Sequence, residues 1–348
     1  MRTKTRLDYL DVLKGIGILL VIFGHLMEPP EFPRILIYSF HMPLFLIVSG
    51  FFMKERDKFL PQLIKFFTKL YVPFLIFISA DFLFSFIYYS IKLGKPVINI
   101  LPLYLKALVG LSYGYDLPIW FLFSLFVIKS VIQLVLMIKN KTVRYVVLLT
   151  LMAAGIVYIS IFQSFNVSNR HLPIYGIMPS MIFVILGFFL KRLIPVPMKI
   201  FTGKDRTSKL VLTLLMIVGA IVMVPLNMIN GYVEIYGCQF GNPLLFLIGG
   251  LLGTFVFLTL SSLIAANLPS ISNRLVFFGT QSLKFQVLHY YLTDHLYPYL
   301  FIRFNCYELL ETSLLVQVTL FIITVAILTP IVILSTHLIP RKKYLSPS

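Results

Sequence analysis

The sequence predicts an all-α integral membrane protein, a bundle of about ten transmembrane helices with both termini in the cytoplasm. Of its 348 residues, 59% are hydrophobic and 12% are charged, and the mean hydropathy is +0.92. Soluble domains contain roughly 45–50% apolar and about 25% charged residues. The composition therefore excludes a water-soluble protein. We expect one membrane domain over residues 1–348, with no appended soluble domain.

Ten apolar stretches are long enough to cross a bilayer, because a helix needs about 20 residues to span about 30 Å of hydrocarbon. The first stretch is not a signal peptide, since it contains Lys14 and His25 and is followed by Glu28-Pro29-Pro30 instead of a small-residue cleavage site. The predicted spans are 12–28, 37–53, 71–91, 118–138, 145–163, 175–190, 210–229, 244–265, 276–293 and 313–338.

The formal net charge of +17 would suggest a nucleic-acid partner in a soluble protein. In a membrane protein, the enrichment of Lys and Arg in cytoplasmic loops explains it better. With the N-terminus inside, 23 basic residues fall on the cytoplasmic side and 6 on the other. This asymmetry predicts an even number of spans in the cell (inner) membrane, contact with membrane lipid, and no nucleic-acid partner.

The first predicted span holds the most informative ionisable residues. Such groups cost about 2.5–3.5 kcal/mol at the centre of a membrane helix, so each is a functional hypothesis. Lys14 and His25 are eleven residues apart, which places them on one helix face about 16.5 Å apart. Asp11 is three residues before Lys14 and can hold its ammonium group. The alternatives are that Lys14 snorkels to the interface and that His25 satisfies a neighbouring carbonyl.

Two further histidines are predicted on the outer side, at the level of His25. His41 begins the second span, and His289 lies toward the outer end of the ninth. The short connection between the first two spans lets His25 and His41 approach each other. No His or carboxylate pair has the spacing of a metal site, so we expect no metal.

The other candidates on the outer side are an aromatic residue and three polar residues. Trp120 begins the fourth span, where a residue of the interfacial aromatic belt is the alternative. The polar residues are Arg34, Asn230 and Glu234. Taken singly, Arg34 and Glu234 are typical of solvated loops, as is Arg170 on the same side.

A buried histidine suits proton abstraction from a hydroxyl, because its ordinary pKa of about 6.5 lies near neutral pH. Acyl transfer to an alcohol needs such a base, an activated donor and hydrogen bonds to the developing oxyanion. The sequence contains neither a Gly-x-Ser-x-Gly motif nor a Walker loop. An activated thioester from the cytoplasm would therefore supply the energy.

The segment Tyr9-Leu10-Asp11-Val12-Leu13-Lys14-Gly15, followed by an apolar run that ends in Gly24-His25, resembles the opening signature of the acyltransferase-3 family of membrane O-acyltransferases. The fucose-4-O-acetylase-like branch is the most similar. Later segments agree in order, namely Phe40-His41-Met42-Pro43-Leu44-Phe45, Ser49-Gly50, Lys69-Leu70-Tyr71-Val72-Pro73, Ile119-Trp120-Phe121-Leu122, Asn230-Gly231 and Gly279-Thr280-Gln281-Ser282-Leu283 before His289.

The resemblance implies that acetyl-CoA, or another acyl-CoA, is the donor on the cytoplasmic side. His25 corresponds to the essential histidine, acting as a base or as a transient acyl carrier. Lys14, supported by Asp11, takes the family's basic role. Lys65 and Lys69 stand where members often have arginines that meet CoA phosphates; a lysine supplies charge there but not bidentate geometry. We expect Lys14, Lys65 and Lys69 together to form a basic funnel on the cytoplasmic side that receives acyl-CoA.

The resemblance also implies a carbohydrate or lipid-linked glycan acceptor. We expect its site among His41, Trp120, Asn230, Glu234, His289 and Arg34. The alternative function is a polytopic transporter or flippase for a glycan, because polar residues inside membranes also mark substrate pathways. The sequence lacks the paired broken segments of inverted repeats, which disfavours that alternative. The acceptor, the acyl chain and the oligomeric state, a homodimer included, stay open.

Overall fold

The computed structural model describes residues 8–26, 32–55, 58–93, 101–111, 119–164, 173–193 and 205–338. Within these ranges the chain is helical and contains no β-strand. The α-helices are α1 (Asp8–His25), α2 (Phe32–Phe51), α3 (Phe59–Phe66), α4 (Val72–Leu93), α5 (Leu101–Leu108), α6 (Trp120–Leu136), α7 (Lys141–Ser164), α8 (Ile177–Leu193), α9 (Arg206–Asn230), α10 (Pro243–Asn267), α11 (Pro269–Thr280), α12 (Ser282–Tyr290), α13 (Tyr297–Arg303), α14 (Tyr307–Thr312) and α15 (Leu314–Leu338).

The predicted all-α membrane class is confirmed. Among the described residues, seven segments are long and apolar enough to cross a membrane: Phe32–Phe51, Phe59–Ile87, Lys141–Ile161, Ile174–Arg192, Arg206–Asn230, Pro243–Asn267 and Leu314–Thr336. Helix α6 is apolar but shorter, and the ninth predicted span is divided between α11 and α12. The total of ten spans and the cytoplasmic position of the termini stay predictions.

Two π-helical segments interrupt the α-helices. Phe67–Tyr71 joins α3 to α4, and Tyr291–Leu296 joins α12 to α13. Short π-helical turns occur frequently at functional sites. Here the first segment carries Lys69 and the second carries Asp294, each of which lines a cavity.

Helix α2 lies at the centre of the bundle. It packs against α1, α8, α9 and α10, and 78% of its span is buried, the largest share of the seven spans. Its closest approach is to α8 and depends on two glycines. A Cβ atom on Gly50 would lie 1.9 Å from the carbonyl oxygen of Val184, and one on Gly187 would lie 2.1 Å from that of Ile47. The two backbones therefore touch directly, as small residues allow in membrane helix packing.

We expect Gly50→Ala to destabilise the protein, because the added methyl group meets backbone atoms that cannot move without separating α2 from α8. Overpacking of this kind costs about 1–3 kcal/mol. The matched control is Gly219→Ala, whose methyl group would meet a side-chain methyl group of Val256 and no backbone atom of another described helix. Thermal unfolding in detergent should show a clear loss for Gly50→Ala and a smaller one for Gly219→Ala; equal losses would contradict the backbone contact.

An ion-pair cluster joins the loop after α2 to α7 and α8. Nη1 of Arg144 lies 2.7 Å from Oε2 of Glu55, and Arg192 pairs with the same carboxylate. Arg144 also donates from Nε and Nη2 to the carbonyl oxygen of Ile138, at 2.9 and 2.7 Å. Desolvation raises the pKa of Glu55, but the two guanidinium groups outweigh it and hold that pKa below its ordinary value.

A carboxylate with a lowered pKa stabilises the folded state above its unfolded pKa, and this stability is lost as the pH falls through the folded pKa. We therefore expect Glu55→Gln to lower the melting temperature at pH 7. The carboxylate is 40% exposed, so the effect should be about 1 kcal/mol or less. Melting curves of the two proteins should converge at a pH below about 4; a constant difference would exclude this cluster as the cause.

Candidate active site

A cavity of about 220 Å³, which we name the histidine cavity, lies between α1, α2, α6, the loop after α9 and the second π-helical segment. It brings together five of the sequence-predicted site residues: His25, Arg34, His41, Trp120 and Glu234. The other lining residues are Val21, Tyr38, Met42, Val233, Ile235, Tyr236, Gln286 and Asp294.

The ring of His25, the last residue of α1, is held by Asp294. Nδ1 of His25 lies 3.4 Å from Oδ1 of Asp294, and the other carboxylate oxygen accepts a hydrogen bond from the hydroxyl of Thr293. A carboxylate beside Nδ1 favours the tautomer with its proton on that atom. The lone pair is then on Nε2, as a general base requires.

His289 lies beside this pair but does not line the cavity. Its ring centroid is 4.9 Å from that of His25, edge-on, and its side chain is wholly buried. Nδ1 donates to the carbonyl oxygen of Phe285 at 2.9 Å, so the lone pair lies on Nε2. That Nε2 atom has no hydrogen-bond partner among the described residues. A buried acceptor without a partner is costly, so the position of this atom needs an explanation.

One wall of the cavity is a stack of Arg34 with two tyrosines. The guanidinium carbon of Arg34 lies 5.0 Å from the ring centroid of Tyr38 and 5.3 Å from that of Tyr232. The Tyr38 ring is also 4.8 Å from that of His41 and 6.3 Å from that of His25. Tyr38 therefore packs against both imidazoles. The sequence predicted their proximity but not this shared neighbour.

The opposite wall is aromatic and flat. The indole of Trp120 lies nearly parallel to the ring of Tyr236, with centroids 5.7 Å apart and an angle of 16° between the planes. Trp120 is buried against this loop, which explains it better than an interfacial belt does. Its position beside the cavity supports a part in binding.

Asn230 closes the loop that carries Tyr236 and Glu234. Its amide nitrogen donates to the carbonyl oxygen of Phe240 at 3.1 Å, and its oxygen accepts from the backbone nitrogen of Asn242 at 2.8 Å. The Asn230 side chain does not line the cavity among the described residues. Its observed contacts therefore brace the loop.

A second cavity, of about 280 Å³, contains four lysines and is named the lysine cavity. Nζ of Lys129 donates to Oγ of Ser49 at 3.1 Å and lies 5.4 Å from the ring centroid of Phe66. The described lining includes no carboxylate: Phe52, Met53, Lys54, Gln62, Lys65, Phe66, Lys69, Leu70, Lys129 and Gln133. Charge of one sign in a cleft attracts the opposite sign, so this cavity suits an anion.

The lysine cavity contains Lys65 and Lys69, as the sequence predicted for a donor site, but not Lys14. Nζ of Lys14 lies 2.7 Å from Oδ1 of Asp11, the contact that their spacing predicted. The funnel that we expected to combine Lys14 with Lys65 and Lys69 is thus formed instead with Lys54 and Lys129. Lys14 shares a face of α1 with His25, about 16.5 Å away along the axis, and its role stays a prediction.

The two cavities are separated along the directions of α2 and α6. Met42 of α2 lines the histidine cavity, and Phe52, the residue directly after α2, lines the lysine cavity. These residues are ten positions apart, or about 15 Å at the rise of a helix. On α6, Trp120 lines the histidine cavity and Lys129, nine positions later, lines the lysine cavity.

Comparison with models of protein families finds a match to this chain. A family model described as an acyltransferase domain matches residues 7–334, nearly the whole chain. The chain belongs to the acyltransferase-3 family. It is accordingly a multi-pass membrane acyltransferase. Comparison with curated proteins and with solved structures finds no match.

Several residues of the acyltransferase's cavities were missed by the sequence analysis. Asp294 lies one position beyond the predicted ninth span, and Lys129 is the basic residue within the fourth. The rule that ionisable residues inside membranes are functional hypotheses would have selected Lys129. Tyr38 and Tyr236 carried no signal, since tyrosine is common at membrane interfaces. No group of three or more potential metal ligands occurs in the described part of the chain.

Proposed function

We propose that this protein is an O-acyltransferase that moves an acetyl or other short acyl group from acyl-CoA to a hydroxyl of a carbohydrate or lipid-linked glycan. The observation that carries the proposal is the imidazole of His25, oriented by Asp294 in a cavity that lies opposite a lysine-lined one. The charge asymmetry of the loops supports a position of the lysine cavity on the cytoplasmic side of the cell membrane, where acyl-CoA is available.

The histidine cavity supplies the groups for acyl transfer. The acceptor hydroxyl gives its proton to Nε2 of His25 while its oxygen attacks the thioester carbonyl. Asp294 stabilises the resulting imidazolium, and the free Nε2 of His289 stands beside it to accept a hydrogen bond. The tetrahedral intermediate then expels the CoA thiolate, which takes the proton back from His25. An acyl-histidine intermediate would use the same nitrogen.

The shape and chemistry of the histidine cavity support a sugar as the acceptor. The parallel rings of Trp120 and Tyr236 offer a flat apolar surface, while Glu234 and Gln286 offer hydrogen-bond acceptors. A polyhydroxylated ring presents both an apolar face and several donors. A volume of about 220 Å³ lies below the usual range for drug-sized ligands and suits one sugar unit.

The lysine cavity supports a phosphate-bearing donor. Lysine binds phosphate as a point charge, without the fixed fork of arginine. Lys129 has its position set by Ser49 and Phe66, so its charge is already in place before a ligand enters. Lys54, Lys65 and Lys69 add charge at the exposed mouth. CoA carries phosphates, which suit the lysine cavity, and a long pantetheine arm, which can extend toward the histidine cavity.

The direct test uses purified protein in lipid nanodiscs with acetyl-labelled CoA and a panel of sugars and lipid-linked glycans. Label on the acceptor hydroxyl supports the proposal. No transfer to any acceptor, together with acceptor-driven flux in sealed vesicles, would instead support the transporter. Mass spectrometry of surface glycans with and without the gene identifies the acceptor.

Replacing His25 with Ala should abolish transfer, and Asp294→Asn should reduce it by about 10²–10⁴-fold, because an amide does not hold the productive tautomer. CoA binding should be unchanged in both variants. The matched control is Asp205→Asn, at the N-terminus of α9 and outside both cavities. Full activity of Asp294→Asn would exclude this role for the carboxylate.

Lys129→Met should raise the KM for acetyl-CoA by about tenfold, the effect of losing one charge-assisted hydrogen bond of about 1.5 kcal/mol. Transfer from a phosphate-free acetyl thioester of N-acetylcysteamine should be unaffected. The matched control is Lys284→Met, since Lys284 also donates to a serine, Ser335 at 3.0 Å, but does not line this cavity. Equal loss with both donors would argue against phosphate binding by Lys129.

A further inference from the structure

Phe45 is partly exposed in the interior of the bundle. It lies midway along α2, and its neighbours in sequence, Leu44 and Leu46, are both fully buried. Its ring packs against three separate hydrophobic clusters, contributed by helices on every side of α2. Because the ring is surrounded by protein on these sides, its exposed surface faces an internal space and not the lipid.

Residues on the same helix face as Phe45 connect the two cavities. On α2, His41 lines the histidine cavity, and Ser49 holds the lysine of the other cavity. Phe45 is four residues from each, so the three side chains share one helix face. On α6 the same spacing joins Phe121 to Lys129.

The first helix completes this face. His25 and Val21 of α1 line the histidine cavity, and Gly17 follows at the same spacing. A Cβ atom on Gly17 would lie 3.1 Å from the ring of Phe45. The absence of a side chain at position 17 therefore leaves room for that ring. On the other side, the ring centroids of Phe45 and Phe121 are 6.3 Å apart.

We propose that Phe45 and Phe121 form the constriction of a passage between the two cavities, and that the pantetheine arm of the donor reaches His25 through it. This inference rests on the proposed acyltransferase function for the identity of the arm. The arm is narrow, uncharged and flexible, and the separation of about 15 Å between the cavities suits its length. Phosphates stay at the lysine cavity, because an aromatic constriction cannot solvate them.

The passage can be tested without catalysis by thiol labelling. In a background with Cys238→Ser and Cys306→Ser, Phe45→Cys is compared with Leu44→Cys and Leu46→Cys in nanodiscs. A charged maleimide reagent reacts with thiols in water, since the thiolate is the nucleophile, and not with thiols in lipid or in a packed core. Phe45→Cys should be labelled at least tenfold faster than either control, and saturating acetyl-CoA, which has no free thiol to consume the maleimide, should slow that labelling.

Labelling of Phe45→Cys at the rate of the controls would overturn the passage, whether or not the protein transfers acyl groups. Labelling that acetyl-CoA does not slow would overturn the route of the arm. Fast labelling that acetyl-CoA slows, without transfer to any acceptor, would uphold the passage and count against the proposed acceptor chemistry. The two proposals therefore fail in different ways.

A second variant tests the same passage if Phe45→Cys folds poorly. Phe45→Trp places a larger ring at the constriction, so it should lower kcat at least tenfold while the Kd for CoA, whose phosphates bind below it, changes less than twofold. A melting temperature close to that of the parent shows that the bundle is intact. An unchanged kcat, or a kcat that falls only in step with CoA binding, would contradict a constriction at this position.

Discussion

The constraint on which the structure depends is that a polar side chain at the depth of the hydrocarbon must be paired or must face a cavity. Asp294 meets it by holding Nδ1 of His25, and Lys129 meets it by donating to Ser49. Each of these groups also lines one of the two cavities. The polar residues that would destabilise a lipid-facing helix are thus gathered around α2, where protein surrounds them.

That arrangement explains which features could be read from the sequence. Contacts within one helix follow from periodicity, so the pair of Asp11 with Lys14 and the single face shared by Lys14 and His25 were accessible. The apolar stretches gave the helical membrane class, because length and hydropathy are local properties. Five of the predicted site residues line the histidine cavity, in keeping with their predicted position on the outer side.

Contacts between helices were not accessible in this way. The backbone approach of Gly50 to Val184 fixes α2 against α8, and no local pattern names the partner of a glycine. Lys14 was grouped with Lys65 and Lys69 on charge and on the family resemblance, whereas packing of α6 beside α3 brings Lys129 to Lys65 and Lys69. Asn230 was grouped with the cavity, but its amide is used in closing its own loop.

The position of Asp294 shows why the central feature of the site needed the structure. Asp294 follows His289 by five residues, and in a regular α-helix five steps of 100° would turn it about 140° away from that histidine. The π-helical segment Tyr291–Leu296 covers most of this interval, and its hydrogen bonds join residues five apart, which returns Asp294 toward the face of His289. Both side chains can then meet the same ring of His25. Such turns are rare and have no simple sequence signature. From α-helical periodicity alone, the Asp294 carboxylate would be placed away from the face of His289, and so away from the His25 ring that it holds.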